Sequence, residues 1–313
     1  MSPDGTLYAS LVMGDRTGRV MAINALTGTI LRQIETTGAG AVVTAAGSVW
    51  VAELTAPAGG APPCSVSRLE PSTLALIATI PTICQSLRTG LVAAGDDVWV
   101  LDPTTGGAAG PGGMLRRIDT TANSMSITAV ALPFAYGLLS SSATAIFYSE
   151  SGQGQYRLRP GETKLSRIGN PGTDALRWPT PAGDGAWSAT DDGRIAFYTT
   201  ANGPDGTLDI SDADGGILVG ADSSSVYLDR GGPGGTHQLW RRYLDARPPT
   251  RLAAIGRTTT GYGAQQLEYF NVDVLSHPFL IGEKSVARVW VAISRTDPTQ
   301  SLLLIQGARL PSR

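Results

Sequence analysis

Apolar and polar positions alternate along this chain in short segments, and one segment pattern returns seven times. In its clearest copy, Gly47-Ser48-Val49-Trp50, a turn glycine is followed closely by an apolar residue and an aromatic residue. Alternation over such a short length is typical of a half-buried β-strand. Each aromatic therefore predicts a strand whose ring is buried between two neighbouring sheets. The seven aromatic positions are Tyr8, Trp50, Trp99, Phe147, Trp187, Tyr227 and Trp290.

The spacing of these aromatics predicts the architecture. Most successive aromatics lie about 40 to 50 residues apart, which is the length of one four-stranded propeller blade. The clearest repeat predicts strands at 41–47, 48–53, 65–70 and 74–80, joined by turn residues. We predict an all-β fold: a single β-propeller domain over residues 1–313, most simply with seven four-stranded blades. Six blades with an irregular tail is the alternative.

The two ends of the chain fit the repeat least well. The first repeat has no strand ahead of its aromatic strand, and the tail offers strands at 269–275, 287–293 and 302–306. Because an open ring would leave bare strand edges, we expect the termini to share the closing blade or blades. The fifth repeat is also irregular, with its innermost strand predicted at 176–181.

Three fragments carry a resemblance to a known family: "SPDGTLYAS", "GRVMAINALTGTILRQI" and "GSVWVAEL". They resemble the YVTN and virginiamycin B lyase-like β-propeller superfamily, and the likeness is strongest in the first three repeats. The resemblance implies the propeller fold but no single activity, because such propellers include enzymes, sensors and scaffolds. The lyase members use a histidine and a divalent metal near the central channel. The two histidines here, His237 and His277, match no position of that site, so no catalytic residue is carried over.

Composition and charge narrow the classes of partner. The formal net charge is −2, which argues against nucleic-acid binding because such binding needs a basic footprint. No apolar run reaches the roughly 20 residues that a membrane helix needs, so we expect no membrane insertion. The 39 glycines and 20 prolines fit a chain with many short strands and many turns.

Long connections are predicted on one face only. In a propeller, the loops between second and third strands and the crossovers between blades share a face, which we call the loop face. Three long loops rich in glycine or proline fall there, at 55–63, 103–113 and 231–236. Functional residues often lie on variable loops of a rigid scaffold, so we predict that an unknown protein or small-molecule ligand binds on this face. The alternative is that these loops are tolerated insertions.

Carboxylates recur at the same place in three consecutive repeats. Glu53, Asp102 and Glu150 each lie three residues after the motif aromatic, where the second strand ends toward the loop face. Clustered carboxylates suit a divalent metal or a basic ligand. The alternative is that they are separate, solvated strand ends. No cofactor is otherwise indicated.

Four further residues are candidates for ligand contact on the loop face. Arg88 and Arg177 lie at or near the start of innermost strands, where they can meet an anion or pair with a neighbouring blade. Trp178 precedes Pro179 outside the aromatic register, so it is the aromatic we most suspect of facing a ligand; the alternative is that it packs in the core. His237 is predicted to lie in the glycine-rich loop of the sixth repeat.

Two cysteines are predicted to lie near each other. Cys64 closes the loop of the second repeat, and Cys84 lies in the crossover that follows on the same face. A disulfide between them would stabilise the fold by roughly 3 kcal/mol and would indicate an oxidising compartment. The alternative is two buried free thiols.

Three functional hypotheses follow. The first is a non-catalytic binding or sensing module, secreted or extracytoplasmic in a bacterium. The second is a metal-dependent lyase or hydrolase with its site at the channel mouth near Glu53, Asp102 and Glu150. The third is a propeller module cut from a larger receptor or kinase chain, motivated by the missing first strand of the first repeat.

Overall fold

The computed structural model describes the larger part of this 313-residue chain. The described residues are 6–12, 18–24, 29–36, 39–54, 64–82, 90–102, 113–133, 138–150, 154–169, 180–189, 194–200, 205–209, 217–221, 225–232, 236–245, 247–255, 279–280, 286–293 and 301–309.

The strands of the first half form four antiparallel sheets in chain order. Sheet 1 contains β1 (Thr6–Val12), β2 (Gly18–Asn24) and β3 (Ile30–Thr36). Sheet 2 contains β4 (Ala39–Ala45), β5 (Ser48–Leu54), β6 (Cys64–Leu69) and β7 (Leu76–Thr82). Sheet 3 contains β8 (Leu91–Ala94), β9 (Asp97–Asp102), β10 (Met114–Asp119) and β11 (Ser124–Ala131). Sheet 4 contains β12 (Leu138–Ser141), β13 (Ile146–Glu150), β14 (Gly154–Leu158) and β15 (Ser166–Arg167).

The second half continues the same arrangement. Sheet 5 contains β16 (Thr180–Ala182), β17 (Gly185–Ala189), β18 (Arg194–Tyr198) and β19 (Gly206–Asp209). Sheet 6 contains β20 (Ile217–Ala221), β21 (Ser225–Gly232), β22 (Thr236–Tyr243) and β23 (Thr250–Ile255). The last sheet described, sheet 7, contains β24 (Phe279–Leu280), β25 (Val286–Ile293) and β26 (Ser301–Arg309).

Neighbouring sheets contact each other through their innermost strands. β4 lies beside β8, β8 beside β12, β12 beside β16, and β16 beside β20. In sheet 1, which has no described strand inside β1, β1 itself lies against β4. Four-stranded antiparallel sheets that follow one another in chain order and pack through equivalent strands are the blades of a β-propeller. The predicted fold class is therefore confirmed.

The hydrophobic core lies between successive sheets and is organised by the motif aromatics. Tyr8 packs with Val49 and Val51 of sheet 2, and Trp50 packs with Val98 and Val100 of sheet 3. Trp99, Phe147 and Trp187 pack in the same way against sheets 4, 5 and 6. The six aromatics whose side chains are described are all buried, as predicted: Tyr8, Trp50, Trp99, Phe147, Trp187 and Tyr227.

Strand prediction was most accurate where turns are tight and least accurate at the irregular repeats. The strands predicted at 41–47, 48–53, 65–70 and 74–80 agree with β4 to β7 to within two residues at each end. Of the innermost strand predicted at 176–181, only the end lies in the described residues, in β16, and β24 was not predicted. The strand predicted at 269–275 lies outside the described residues. The described strands of sheets 1 and 7 belong to separate sheets, and the sharing of a blade by the termini stays a prediction.

The face opposite the loop face, which we call the turn face, is held together by hydrogen bonds between successive sheets. The amide of Gly95 in sheet 3 donates to the carbonyl of Ala143 in sheet 4 at 2.8 Å. The Ala46 amide of sheet 2 donates to Asp96 Oδ1 at 3.2 Å, and Ser142 Oγ donates to the Gly183 carbonyl of sheet 5 at 2.9 Å. Polar groups in these tight turns are thus used to join the sheets.

An arginine that sequence reasoning missed recurs on this side of the molecule. In four sheets it pairs directly across from the motif aromatic: Trp50 with Arg68, Trp99 with Arg117, Phe147 with Arg157, and Tyr227 with Arg241. Two of these arginines reach the next sheet through the hydrogen bonds of Arg68 to Thr120 and Asn123, and of Arg157 to Asp184 and Thr199. The repeat is visible in the sequence once the third strands are aligned on the aromatics.

Candidate functional site

The loop-face ends of the second strands carry the predicted carboxylates. Glu53 and Asp102 lie near the ends of β5 and β9, each two residues after a buried valine that packs toward the preceding sheet. Glu150 ends β13 at the equivalent backbone position, where it pairs with Gly154. Because side chains alternate along a strand, Glu53 projects from the face of sheet 2 that meets sheet 1, and Asp102 from the face of sheet 3 that meets sheet 2.

Asp102 has a cation of its own. Its side chain is almost completely buried, with 4% of its surface exposed, and its Oδ2 atom accepts a hydrogen bond from Arg116 Nε at 2.8 Å. Arg116 lies on β10 directly across from Val100, so it reaches the carboxylate diagonally along one face of the sheet. This ion pair neutralises the carboxylate within sheet 3.

Glu53 occupies the same place in sheet 2 but has different neighbours. The residue equivalent to Arg116 is Ser67, which pairs with Val51. The Ser67 hydroxyl donates a hydrogen bond to the Glu53 carboxylate. In the described part of the chain, no lysine or arginine forms an ion pair with Glu53.

Two buried hydroxyls accompany this carboxylate at the same end of the interface between sheets 1 and 2. Ser65 is directly opposite Glu53 in the strand register, and only 6% of its surface is exposed. Its Oγ atom has no hydrogen-bond partner among the described residues, and the same holds for Thr36 Oγ1 at the loop-face end of β3. Buried polar atoms are usually paired, so these two hydroxyls mark a place where donors or acceptors are missing. We call Glu53, Ser65 and Ser67 the Glu53 cluster.

Burial changes the ionisation of Glu53. Removal from water raises the pKa of this carboxyl above its ordinary value, and the hydrogen bond from Ser67 offsets part of that increase. Because the folded-state pKa is the higher one, the folded protein binds more protons than the unfolded chain. The ionisation of Glu53 therefore lowers the free energy of unfolding as the pH rises above about 4.5, the ordinary value of the group.

We expect Glu53→Gln to stabilise the protein at neutral pH. The substitution removes a desolvated charge, so the midpoint of thermal unfolding should rise at pH 7.5 and change little at pH 3.5, where the native carboxyl is protonated. Asp102→Asn is the matched control, and we expect it to lower the midpoint at pH 7.5 because Arg116 loses its anion. Calorimetry at both pH values measures the two effects. A lower midpoint for Glu53→Gln at pH 7.5 would contradict this account of Glu53.

Of the remaining candidate residues, only His237 lies in the described part of the chain. Arg88, Arg177 and Trp178 lie outside the described residues, so their predicted ligand contacts stay predictions. The prediction for His237 was wrong in its local structure, because this residue lies in β22 and pairs with Gly231 and Ile255. β21 and β22 extend the hairpin of sheet 6 into the predicted loop at 231–236, leaving residues 233–235 between the strands. The strands extend there because glycine adds no side chain that would prevent pairing.

Cys64 begins β6 at the loop face, and its side chain is 1% exposed. It packs in the core cluster that contains Trp50 and Ile80. Cys84 lies outside the described residues, so the predicted disulfide stays a prediction.

Metal-ligand groups and membrane-spanning helices both bear on the predicted classes of partner. Among the described residues, no group of three or more histidine, cysteine, aspartate or glutamate side chains is arranged to hold a metal ion. In the same residues, no helix is long and apolar enough to cross a membrane.

Comparison with known proteins identifies the fold. No protein-family model matches the sequence, and no curated protein matches it. Solved structures do match over nearly the whole chain. The β-propeller domain of the Trilobed protease from Pyrococcus furiosus, described as having an open velcro topology, has a TM-score of 0.55 at 10% sequence identity, covering 97% of this chain and 92% of that one.

Two other structures agree. A candidate 6-phosphogluconolactonase from Bacteroides uniformis has a TM-score of 0.54 at 12% identity, with 97% of each chain covered. The structure of U3-55K has a TM-score of 0.55 at 10% identity, covering 97% of this chain and 92% of that one. At these identities the matches show that the chain is a β-propeller and carry no information about its activity.

Proposed function

We propose that this chain is a non-catalytic binding or sensing propeller whose ligand or protein partner docks on the loop face. The observation that carries the proposal is the Glu53 cluster, where a half-buried carboxylate lies across the strand pair from Ser65, whose buried hydroxyl has no described partner. On the turn face, the Gly95 amide, the Ala46 amide and the Ser142 hydroxyl are each bonded to the next sheet.

The energetics support a binding role for the loop face. A buried polar atom without a partner destabilises a fold by about 1 to 3 kcal/mol. Such groups are kept at functional sites, where stability is commonly traded for activity. A ligand that supplies the missing hydrogen bonds and the missing positive charge would recover this free energy on binding.

We further propose an extracytoplasmic bacterial location for the protein. This proposal rests on a disulfide between Cys64 and Cys84, since such bonds persist in oxidising compartments. The nearly complete burial of Cys64 at the loop face suits one half of such a bond. Peptide mapping without reductant checks the pairing, and two alkylatable thiols in the native protein would contradict it.

The number of blades is also a proposal. The seven described sheets would be seven blades of one ring, in which sheet 1 has no described inner strand and sheet 7 no described outer one. The resemblance to YVTN and virginiamycin B lyase-like propellers supports this reading. If the ends of the chain complement each other, removing residues 301–313 should increase the hydrogen exchange of the β1 amides, and unchanged exchange would contradict the proposal.

The binding role is tested by finding where ligands contact the protein. A library of small cations, anions, saccharides and peptides is screened by ligand-observed NMR, and the hits are mapped by amide shifts. We expect hits to shift the amides of Glu53, Ser65 and Asp102, and to be weakened by the double variant Glu53→Gln/Ser65→Ala. The turn-face variant Lys164→Ala, which changes an exposed residue, is the control. Hits confined to the turn face, or turnover of a hit that requires Glu53, would overturn the proposal.

A further inference from the structure

Glu53 and Asp102 occupy equivalent positions in sheets 2 and 3, but their carboxylates have different neighbours. In sheet 3 the strand-end carboxylate, Asp102, is paired with Arg116. In sheet 2 the carboxylate is Glu53, and Ser67 stands where the arginine would be. Among the described residues, sheet 2 therefore has the anion of this arrangement without its cation.

The hydroxyls around Glu53 indicate what kind of cation would fit. Directly opposed residues on antiparallel strands have Cβ atoms about 4.5 to 5.5 Å apart, so the Ser65 side chain lies beside that of Glu53 on one face of the sheet. Ser67 already donates to the carboxylate, whereas Ser65 Oγ is buried and has no described partner. The carboxylate and the Ser65 hydroxyl together offer acceptors on one face of the sheet, at its loop-face end.

We propose that the Glu53 cluster binds a primary ammonium group, such as a lysine side chain of a partner or the amine of a small ligand. The inference rests on the proposed binding function and names the chemical class that the site recognises. A primary ammonium carries three N–H donors on a compact charge. Those donors can be accepted by the Glu53 carboxylate and Ser65 Oγ, and the positive charge replaces the one that Arg116 provides in sheet 3.

The chemistry of the cluster disfavours the other cations that a carboxylate can bind. A calcium ion takes six to eight oxygen ligands, usually with several carboxylates, and the described part of this site contributes one carboxylate. A guanidinium is planar and is held best by a two-pronged carboxylate contact, whereas one oxygen-rich point formed by a carboxylate and a hydroxyl suits a compact, rotatable donor.

The test uses the intact chain and a defined probe. Nα-acetyl-lysine methylamide is titrated into the protein, and the amide shifts of Glu53 and Ser65 are followed by NMR. The norleucine analogue lacks the amine, and the arginine analogue replaces it with guanidinium. We expect only the lysine compound to saturate these shifts. Saturation by the arginine compound alone, or by the norleucine compound, would overturn the assignment of an ammonium site.

Variants then separate the groups involved. We expect Glu53→Gln to weaken the lysine compound at least tenfold, equivalent to about 1.4 kcal/mol, and Ser65→Ala to weaken it severalfold. Lys164→Ala, which changes an exposed residue on the turn face, should leave the affinity within twofold. Far-ultraviolet circular dichroism and thermal unfolding establish that each variant is folded.

A transplant experiment tests the comparison between sheets directly. Ser67→Arg places in sheet 2 the arginine of sheet 3, and we expect it to abolish binding while Glu53 is retained. If Ser67→Arg binds the lysine compound with unchanged affinity, the inference is wrong.

The last control asks whether an arginine of the same chain occupies the proposed ammonium site. Arg16 and Arg88 lie in connections outside the described residues, so Arg16→Ala and Arg88→Ala are titrated in parallel. Binding that develops only in one of these variants would mean that the chain fills the site itself, which overturns the inference. If other ligands map to the loop face while the lysine compound fails to bind, the ammonium assignment fails and the proposed binding function stands.

Discussion

Replacing Trp50 with alanine should destabilise the protein by about 3 to 5 kcal/mol, the range found for truncating a buried aromatic side chain. Trp50 has no exposed surface and lies in the cluster that joins sheets 2 and 3. Its Nε1–H also donates to the Ala45 carbonyl at 2.9 Å, which closes the inner hairpin of sheet 2. The loss therefore combines a cavity between two sheets with a broken hydrogen bond.

Equilibrium unfolding in urea, followed by circular dichroism, measures the change in the free energy of unfolding. Ile127→Ala is the matched control because Ile127 is fully exposed on the outer strand of sheet 3, and exposed substitutions change stability by about 0.5 kcal/mol or less. Trp50→Phe keeps most of the apolar volume and should have an intermediate effect. Equal losses for Trp50→Ala and Ile127→Ala would show that the aromatic does not hold the sheets together.

The strands that carry the motif aromatics could be predicted for a physical reason. In a propeller, each blade needs an aromatic that packs between two sheets. The same residue pattern therefore recurs in each repeat at nearly constant spacing. The tight turns add a second signal, as at Gly47, whose φ of 65° favours glycine. Where both signals are present, as in sheet 2, the predicted strands agree closely with the observed ones.

Prediction failed where those signals weaken. β24, of which two residues are described, was not predicted, because so short a segment shows no periodicity of two. His237 was misplaced because the glycines before it were interpreted as a loop, although glycine is tolerated at the end of a long hairpin.

The candidate site was foreseen only in part. The three strand-end carboxylates were found by counting from the aromatics, because that count stays within one strand. What separates Glu53 from Asp102 is the residue across the sheet, Ser67 or Arg116, and cross-strand partners depend on register. The intervening loops differ in length, so a count along the chain does not align these two residues. The burial of Ser65 Oγ without a partner also requires coordinates.

The arginine opposite the motif aromatic gives the second large effect. We expect Arg68→Met to destabilise the protein by about 3 kcal/mol, because hydrogen bonds from a charged donor contribute about 1.5 to 3 kcal/mol. Arg68 donates to Ser48 Oγ at 2.8 Å within sheet 2, and to the Thr120 carbonyl and Asn123 Oδ1 of sheet 3 at 2.6 and 2.8 Å. Its guanidinium lies 5.1 Å from the centre of the Trp50 ring. Methionine keeps the apolar stem and removes all of these donors.

Arg159→Met is the matched control for this substitution. Arg159 also reaches the next sheet by pairing with Asp184, but both side chains are largely exposed, at 44% and 48%. Exposed ion pairs contribute about 0 to 1 kcal/mol, so urea unfolding should show a much smaller loss than for Arg68→Met. Arg68→Lys should recover only part of the loss, because an ammonium cannot reproduce the fork that bonds Ser48 and the turn of sheet 3 together. Equal losses for the two methionine variants would contradict this account, because an arginine that reaches across the interface would then stabilise the sheets equally whether buried or exposed.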